Sequence, residues 1–86
     1  GKGFYIDASS EMTLSAELAA GPYRICAAEA TADGLNFTIG LDTAEAPLEA
    51  EATDTYLAVG SSESYFIENG HKIAVLGGKL SVTPLT

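Results

Sequence analysis

His71 is the only histidine in the chain, and it follows an Asn69-Gly70 pair with Glu68 just ahead of it. A carboxylate that orients an imidazole is the elementary unit of general-base catalysis. On a two-residue hairpin at Asn69-Gly70, Glu68 would stand opposite His71. Nucleophilic use of the pair also needs a hydroxyl or thiol within reach and an oxyanion site, and on the same register Ser81 and Thr83 fall on the opposite face. A hairpin tip is exposed, whereas catalysis needs a cleft. The pair therefore reads as a cross-strand contact, and no enzyme activity is expected. Cys26 is the only cysteine. It cannot form an internal disulfide, and with His71 it makes too poor a ligand set for zinc, which takes four. It is expected to face the core as a small hydrophobe.

Carboxylates are abundant: 12 Asp and Glu stand against four Lys and Arg, for a net charge of −8. Between Arg24 and Lys72 lie nine carboxylates and no basic residue. Glu49 and Glu51 would share one strand face within reach of a cation, with Asp42, Glu45 and Asp54 joining from a loop. Calcium takes six to eight such oxygens, but no Asp-x-Asp-x-Asp-Gly loop is present. No confident metal site and no cofactor follow. Nucleic-acid binding is excluded, because phosphates are neutralised by clustered Lys and Arg. An anionic membrane surface would repel the chain, and no apolar run approaches the ~20 residues of a membrane span.

Sugar chemistry is weakly indicated. A glycosidase sets two carboxylates across a cleft, for which 86 residues without Trp leave little room. Tyr5, Tyr23, Tyr56 or Tyr65 could form a glycan platform, although packing explains them as well. Asn36-Phe37-Thr38 fits a glycosylation sequon, a pattern common by chance. Gly77-Gly78 lacks the Lys-Ser and helix of a phosphate loop.

The elements that would carry these residues are strands. Met12, Leu14, Ala16 and Leu18 alternate with Thr13, Ser15 and Glu17; Leu35, Phe37, Ile39 and Leu41 alternate with Asn36, Thr38 and Gly40. Period-two patterning marks strands with one buried face. A helix over Ser10–Ala20 competes weakly, since Thr13 and Ser15 are poor in a helix interior. Phe4-Tyr5-Ile6, Tyr23–Ala30 and Thr55–Val59 read as further strands, and Leu48–Ala52 as a short edge strand. Asp33-Gly34 predicts a hairpin that sets Cys26 and Ala28 beside large apolar partners. Asn69-Gly70 predicts a type I′ hairpin, and Gly77-Gly78 a third. Together the last two predict a three-strand meander with Phe66, Ile73, Val75, Leu80 and Val82 on one buried face and Tyr65, Ile67, Lys72, Ala74, Ser81 and Thr83 on the other.

The expected fold is all-β: a single domain over residues 1–86, a small antiparallel β-sandwich or barrel of about seven to eight short strands ending in that meander. Gly1 reads as a tag remnant, a processed terminus or the residue left after loss of Met. So small a core lacks a staple, and small domains compensate by disulfides, metals or association. Association is the one left. Phe4, Tyr5 and Ile6 on the N-terminal arm, with Tyr65 and Ile67 on the meander's outer face, are the candidate contacts with a protein partner or a second copy. A structural assembly protein, such as a capsid decoration protein or strand-donating filament subunit, is the favoured reading. A surface binding module of Ig-like or carbohydrate-binding type is the alternative. A virion or extracellular surface suits either better than cytoplasm.

Overall fold

The computed structural model describes residues 2–86; Gly1 lies outside the described residues. Eight strands form: β1 (Phe4–Asp7), β2 (Thr13–Leu14), β3 (Gly21–Ala30), β4 (Gly34–Gly40), β5 (Thr55–Ala58), β6 (Ser62–Ile67), β7 (Lys72–Leu76) and β8 (Gly78–Pro84). They build two four-stranded antiparallel sheets: sheet A in the order β1-β8-β3-β6, and sheet B in the order β2-β7-β4-β5.

The registers explain the order. Phe4 pairs with Val82, Thr13 with Val75, Gly21 with Ile67 and Gly34 with Ala58, so the paired residue numbers add to 86, 88, 88 and 92. A near-constant total is the mark of one long hairpin. The chain doubles back once, in the segment after β4, and its second half runs antiparallel to its first. This ribbon is then wrapped so that β8 meets β3 and β7 meets β4. An eight-stranded double sheet wound in this way has jelly-roll connectivity. At one corner four connections cross between the sheets side by side, with hydrogen bonds continuing across it. Ala8 N donates to Gly78 O at 2.7 Å, Thr31 N to Gly77 O at 3.0 Å and Val59 N to Asp33 O at 3.0 Å.

None of the three expected hairpins forms. β3 and β4, β6 and β7, and β7 and β8 lie in opposite sheets, so the C-terminal meander is replaced by two crossings. Asn69-Gly70 does make a tight turn, closed by His71 N on Glu68 O at 3.1 Å. Only Gly70 has positive φ, at 85°. A type I′ turn needs positive φ at both central residues, whereas one at the second position is the type II pattern. Type II geometry splays the flanking strands, and here it sends the chain from one sheet to the other.

The core lies between the sheets. Ile25, Leu80, Val82 and Ile67 from sheet A meet Leu35, Ile73 and Val75 from sheet B, all fully buried. Each such side chain contributes about 1.5–3 kcal/mol of transfer free energy. Four of the five residues expected to share a buried face are thus in the core, although they come from two facing sheets. The fifth, Phe66, is 70% exposed, while Ile67 is fully buried. The expectation carried face parity across a hairpin that does not exist. A one-residue error of that kind inverts every side chain of a strand.

Two other segments differ from expectation. Residues 41–54, including the predicted Leu48–Ala52 strand, hold no strand. In the Met12–Leu18 segment only Thr13 and Leu14 are strand, and the parity is reversed. Thr13 pairs with core residue Val75, and Ser15 N donates to the core residue Ile73. The polar edge residues can face inward because their hydroxyls are bonded: Ser15 Oγ accepts from Ile73 N at 2.9 Å and donates to Ala16 O at 2.7 Å. Leu18 N then reaches His71 O, so one extra residue is inserted opposite β7. Such a bulge returns Leu18 to the core side.

Candidate functional site

The two sheets differ in what covers their outer faces. On sheet B the 41–54 segment folds back over the face and is tied to it at three places. Asp42 Oδ2 holds Lys72 Nζ at 3.0 Å. Asn36 Nδ2 donates to Asp54 O at 3.1 Å and to Ala52 O at 3.4 Å. Leu48 packs where Gly40 lacks a side chain. Ala50 and Ala74 are buried under this cover but stand outside the main core. β7 is therefore buried on both faces, which suits its continuous apolar run Ile73-Ala74-Val75. The Leu48 amide, and then Lys72, hold the Asp42 carboxyl below its ordinary pKa.

Of the acidic residues singled out as possible cation ligands, Asp42 and Asp54 have protein partners. Asp42 serves Lys72 and the Leu48 amide, and Asp54 Oδ2 accepts from Glu51 N at 2.6 Å. Glu45, Glu49 and Glu51 are exposed. Among the described residues no three Asp, Glu, His or Cys side chains gather as a metal site. The sequon residue Asn36 is on an outer face, as expected, but its amide holds the covering segment.

Among the described residues no such segment lies over the outer face of sheet A. The registers arrange it in rows: beyond a charged end row of Asp7, Lys79 and Glu29 come ten positions, Tyr5, Ser81, Cys26 and Ser62; then Thr83, Arg24 and Ser64; then Leu85, Pro22 and Phe66. Cys26 thus lies on this face, half-buried, and not in the core as expected. The core face of β3 takes Tyr23, Ile25 and Ala27 instead. These ten positions include no carboxylate, although the chain has 12. Their one charge is Arg24. At the near corner Lys79 lies 5.3 Å from the Tyr5 ring centroid and 3.3 Å from Glu29 Oε2, beside Asp7. The Asp7 carboxyl is lowered chiefly by hydrogen bonds from Ser9. Tyr5 and Phe66, on the two edge strands, are 66% and 70% exposed.

The association candidates separate accordingly. Tyr5 is on the open face and Phe4 is half-buried against the core. Ile6 and Ile67 are core residues, at 4% and 0% exposure, and Ile67 does not lie on an outer face as expected. Tyr65 also points inward. It meets Phe37 edge-to-face at 5.6 Å between centroids, a geometry worth about 0.5–1.5 kcal/mol beyond area burial. Phe66, the exposed aromatic on the edge, was missed. The signal that could have found it is the pairing of β6 with β3, which sets Phe66 opposite outward Pro22; alternation alone does not reveal that pairing.

A cleft of about 450 Å³ opens between the edges of the two sheets. β5 begins at Thr55, opposite Phe37, so Thr38 and Ile39 of β4 extend beyond it. Tyr65 and Phe66 of β6 face them across the gap, with Glu68 and His71 at the turn. The Glu68–His71 link is the backbone bond of that turn. Tyr65 Oη donates to Glu63 Oε1 at 2.6 Å, and this bond raises the phenol to about 12. Ser81 and Thr83, the hydroxyls expected on the face away from His71, are both on the outer face of sheet A, away from the cleft. Tyr23 is buried, its hydroxyl on Ala19 O, and Tyr56 is exposed on sheet B, so the four tyrosines form no common platform.

Against known proteins the chain stands apart: no family model, curated protein or solved structure matches it.

Proposed function

We propose that this protein is a non-catalytic assembly component that docks through the open face of sheet A onto a larger protein array, in the manner of a capsid decoration protein or filament-associated subunit. The observation that carries this reading is the distribution of charge. A chain with 12 carboxylates keeps them off ten contiguous positions of its one uncovered sheet face. Charged residues are depleted in the cores of protein interfaces, and aromatics and Arg are enriched. Tyr5, Phe66 and Arg24 match that pattern. Ser62, Ser64, Ser81 and Thr83 between them are short and lose little side-chain entropy on contact.

Strand spacing gives the ten positions a footprint of about 330 Å², the central part of a contact that normally covers ~800 Å² per partner. A single contact of this size is modest in affinity, and a repeating array raises it by multivalency. Jelly-roll connectivity builds capsid and lectin domains; that fits the reading without carrying it, since a fold names no function.

The experiment places carboxylates at the centre of the face. Ser62→Glu with Ser81→Glu flanks Cys26 in register. The double variant keeps its thermal midpoint, as surface changes do, and is lost from the native assembly on co-sedimentation. Retention at the parental level contradicts the proposal.

A further inference from the structure

The cleft between the sheet edges has a character different from the docking face. Its floor is apolar, from Phe37 and Ile39 with the ring of Tyr65. Its rim is acidic: Glu68 lines it, and Glu63 stands at the Tyr65 hydroxyl. Among the described residues no Lys or Arg lines it. It lies wholly within the parts of the chain that Arg24 and Lys72 bracket. Beside it runs β6, which has β3 on one side and no strand on the other. Exposed edges are usually protected by Lys, Pro or a bulge. β6 reads Ser-Glu-Ser-Tyr-Phe-Ile and pairs with β3 in unbroken register, so it has none of these.

We propose that this cleft receives an extended, cationic segment of a partner protein, added to β6 as a further strand of sheet A. Addition to a free edge supplies main-chain hydrogen bonds, and pockets for alternate side chains supply the selectivity. The inward side chains of such a strand enter a slot that is apolar below and acidic at the rim. Lys and Arg match that profile, since their methylene stems pack on apolar surface while their charged heads stay at the edge. The Tyr65 ring that lines the cleft offers a cation–π contact as well. A neutral apolar strand would leave the acidic rim unpaired, and an acidic strand would be repelled. This site borders the docking face of sheet A at Phe66 but takes a different ligand, and it goes beyond that reading.

The test uses the full chain and a capped heptapeptide of alternating Thr and Arg, followed by amide chemical-shift mapping and anisotropy. Three comparison peptides carry Lys for Arg, carry Glu for Arg, or are N-methylated at alternate backbone nitrogens. The Arg and Lys peptides are expected to shift amides of β6, Thr38, Thr55 and His71, and the Glu peptide to shift none. Glu68→Lys should weaken binding about tenfold, as for a charge facing its partner. Backbone methylation should weaken it comparably, because it removes the strand hydrogen bonds. A second variant, Glu45→Gln with Glu49→Gln and Glu51→Gln, removes more charge from the covering segment of sheet B and should change affinity by less than about threefold. The proposal is overturned by absence of binding, by indifference to methylation, or by a greater loss in the triple variant than in Glu68→Lys. The Ser62→Glu, Ser81→Glu variant should still bind the peptide, so failure of the docking reading and failure of this one remain distinguishable.

Discussion

Ser15→Ala is a small change with a large expected effect. Among the described residues Ser15 is the one buried polar residue, at 9% exposure. Its hydroxyl accepts from the amide of Ile73 and donates to Ala16 O. Alanine fits the space but removes both bonds. Ala16 is exposed, so its carbonyl recovers a bond to water. Ile73 is fully buried, so its amide keeps only what remains in the ladder. Leaving a buried donor unsatisfied costs about 1–3 kcal/mol. For a domain of this size 1 kcal/mol lowers the midpoint by about 4–8 °C, which puts the expected drop at about 8–16 °C for ~2 kcal/mol. The measurement is thermal unfolding by circular dichroism, with amide exchange at Ile73 as the local readout. Ser9→Ala, on an exposed turn, is the control and should shift the midpoint by no more than a surface change does. Equal midpoints for the two variants, with undiminished protection at Ile73, would refute the inward placement of Ser15 and with it the reversed parity of this edge.

Four further outcomes follow from other parts of the fold. At the turn between β6 and β7, Gly70→Ala should cost about 1–2 kcal/mol, since a side chain at φ 85° is strained, while Asn69→Ala should cost under about 0.5 kcal/mol; equal costs measured by urea unfolding would restore the type I′ hairpin. A side chain at Gly78 would press on the backbone of Glu29 and, at 2.9 Å, on Ala30 Cα, so Gly78→Ala should lose at least the 1–3 kcal/mol typical of overpacking, whereas Gly40→Ala meets only the flexible end of Leu48 and should be milder. Tyr65 is held protonated to about 12 by Glu63, against an ordinary 10. Its contribution to stability is therefore complete below pH 10 and lost as pH rises towards 12. Glu63→Gln should bring its ultraviolet titration back towards 10, and an unchanged titration would count against the bond. Asp42 has the opposite sign: its carboxyl is lowered from 3.8, so its contribution is present above pH ~4 and lost as pH falls below it. Asp42→Asn should flatten that acid limb in pH-dependent urea unfolding.

Much of the fold was legible because strands announce themselves locally. The alternation over Leu35–Ile39, the apolar run at Ile73–Val75 and the Leu80–Val82 pattern all mark true strands. The all-β class and the number of strands follow from such signals. Strand partners do not. Asn69-Gly70 and Gly77-Gly78 carry turn chemistry, but the same dipeptides serve crossings as well as hairpins, and only φ at Asn69 separates the two. Partners in this fold are remote, with Phe4 beside Val82, and sequence proximity says nothing of them. The face of Phe66, and hence the edge aromatic of the docking surface, was hidden for that reason. Tyr5 was named only as one of the apolar run Phe4-Tyr5-Ile6, of which the other two pack on the core. Ser15 misled differently: a serine in an alternating strand reads as outward unless the buried amide that needs its oxygen is known. The cover over sheet B was also invisible, since Leu48–Ala52 alternates like a strand while Asn36 ties its end to sheet B through the carbonyls of Ala52 and Asp54.

The central claim, docking through the open face of sheet A, is tested most directly by a photo-crosslinking residue placed at one of two sites in the native host. Ser64 lies on that face beside Arg24, on its edge strand β6; Ala58 is exposed at the edge of sheet B. The account predicts one dominant, saturable crosslink to a single protein from the Ser64 position, lost with Ser62→Glu and Ser81→Glu, and none from Ala58. A dominant crosslink from Ala58 with none from Ser64 would contradict it.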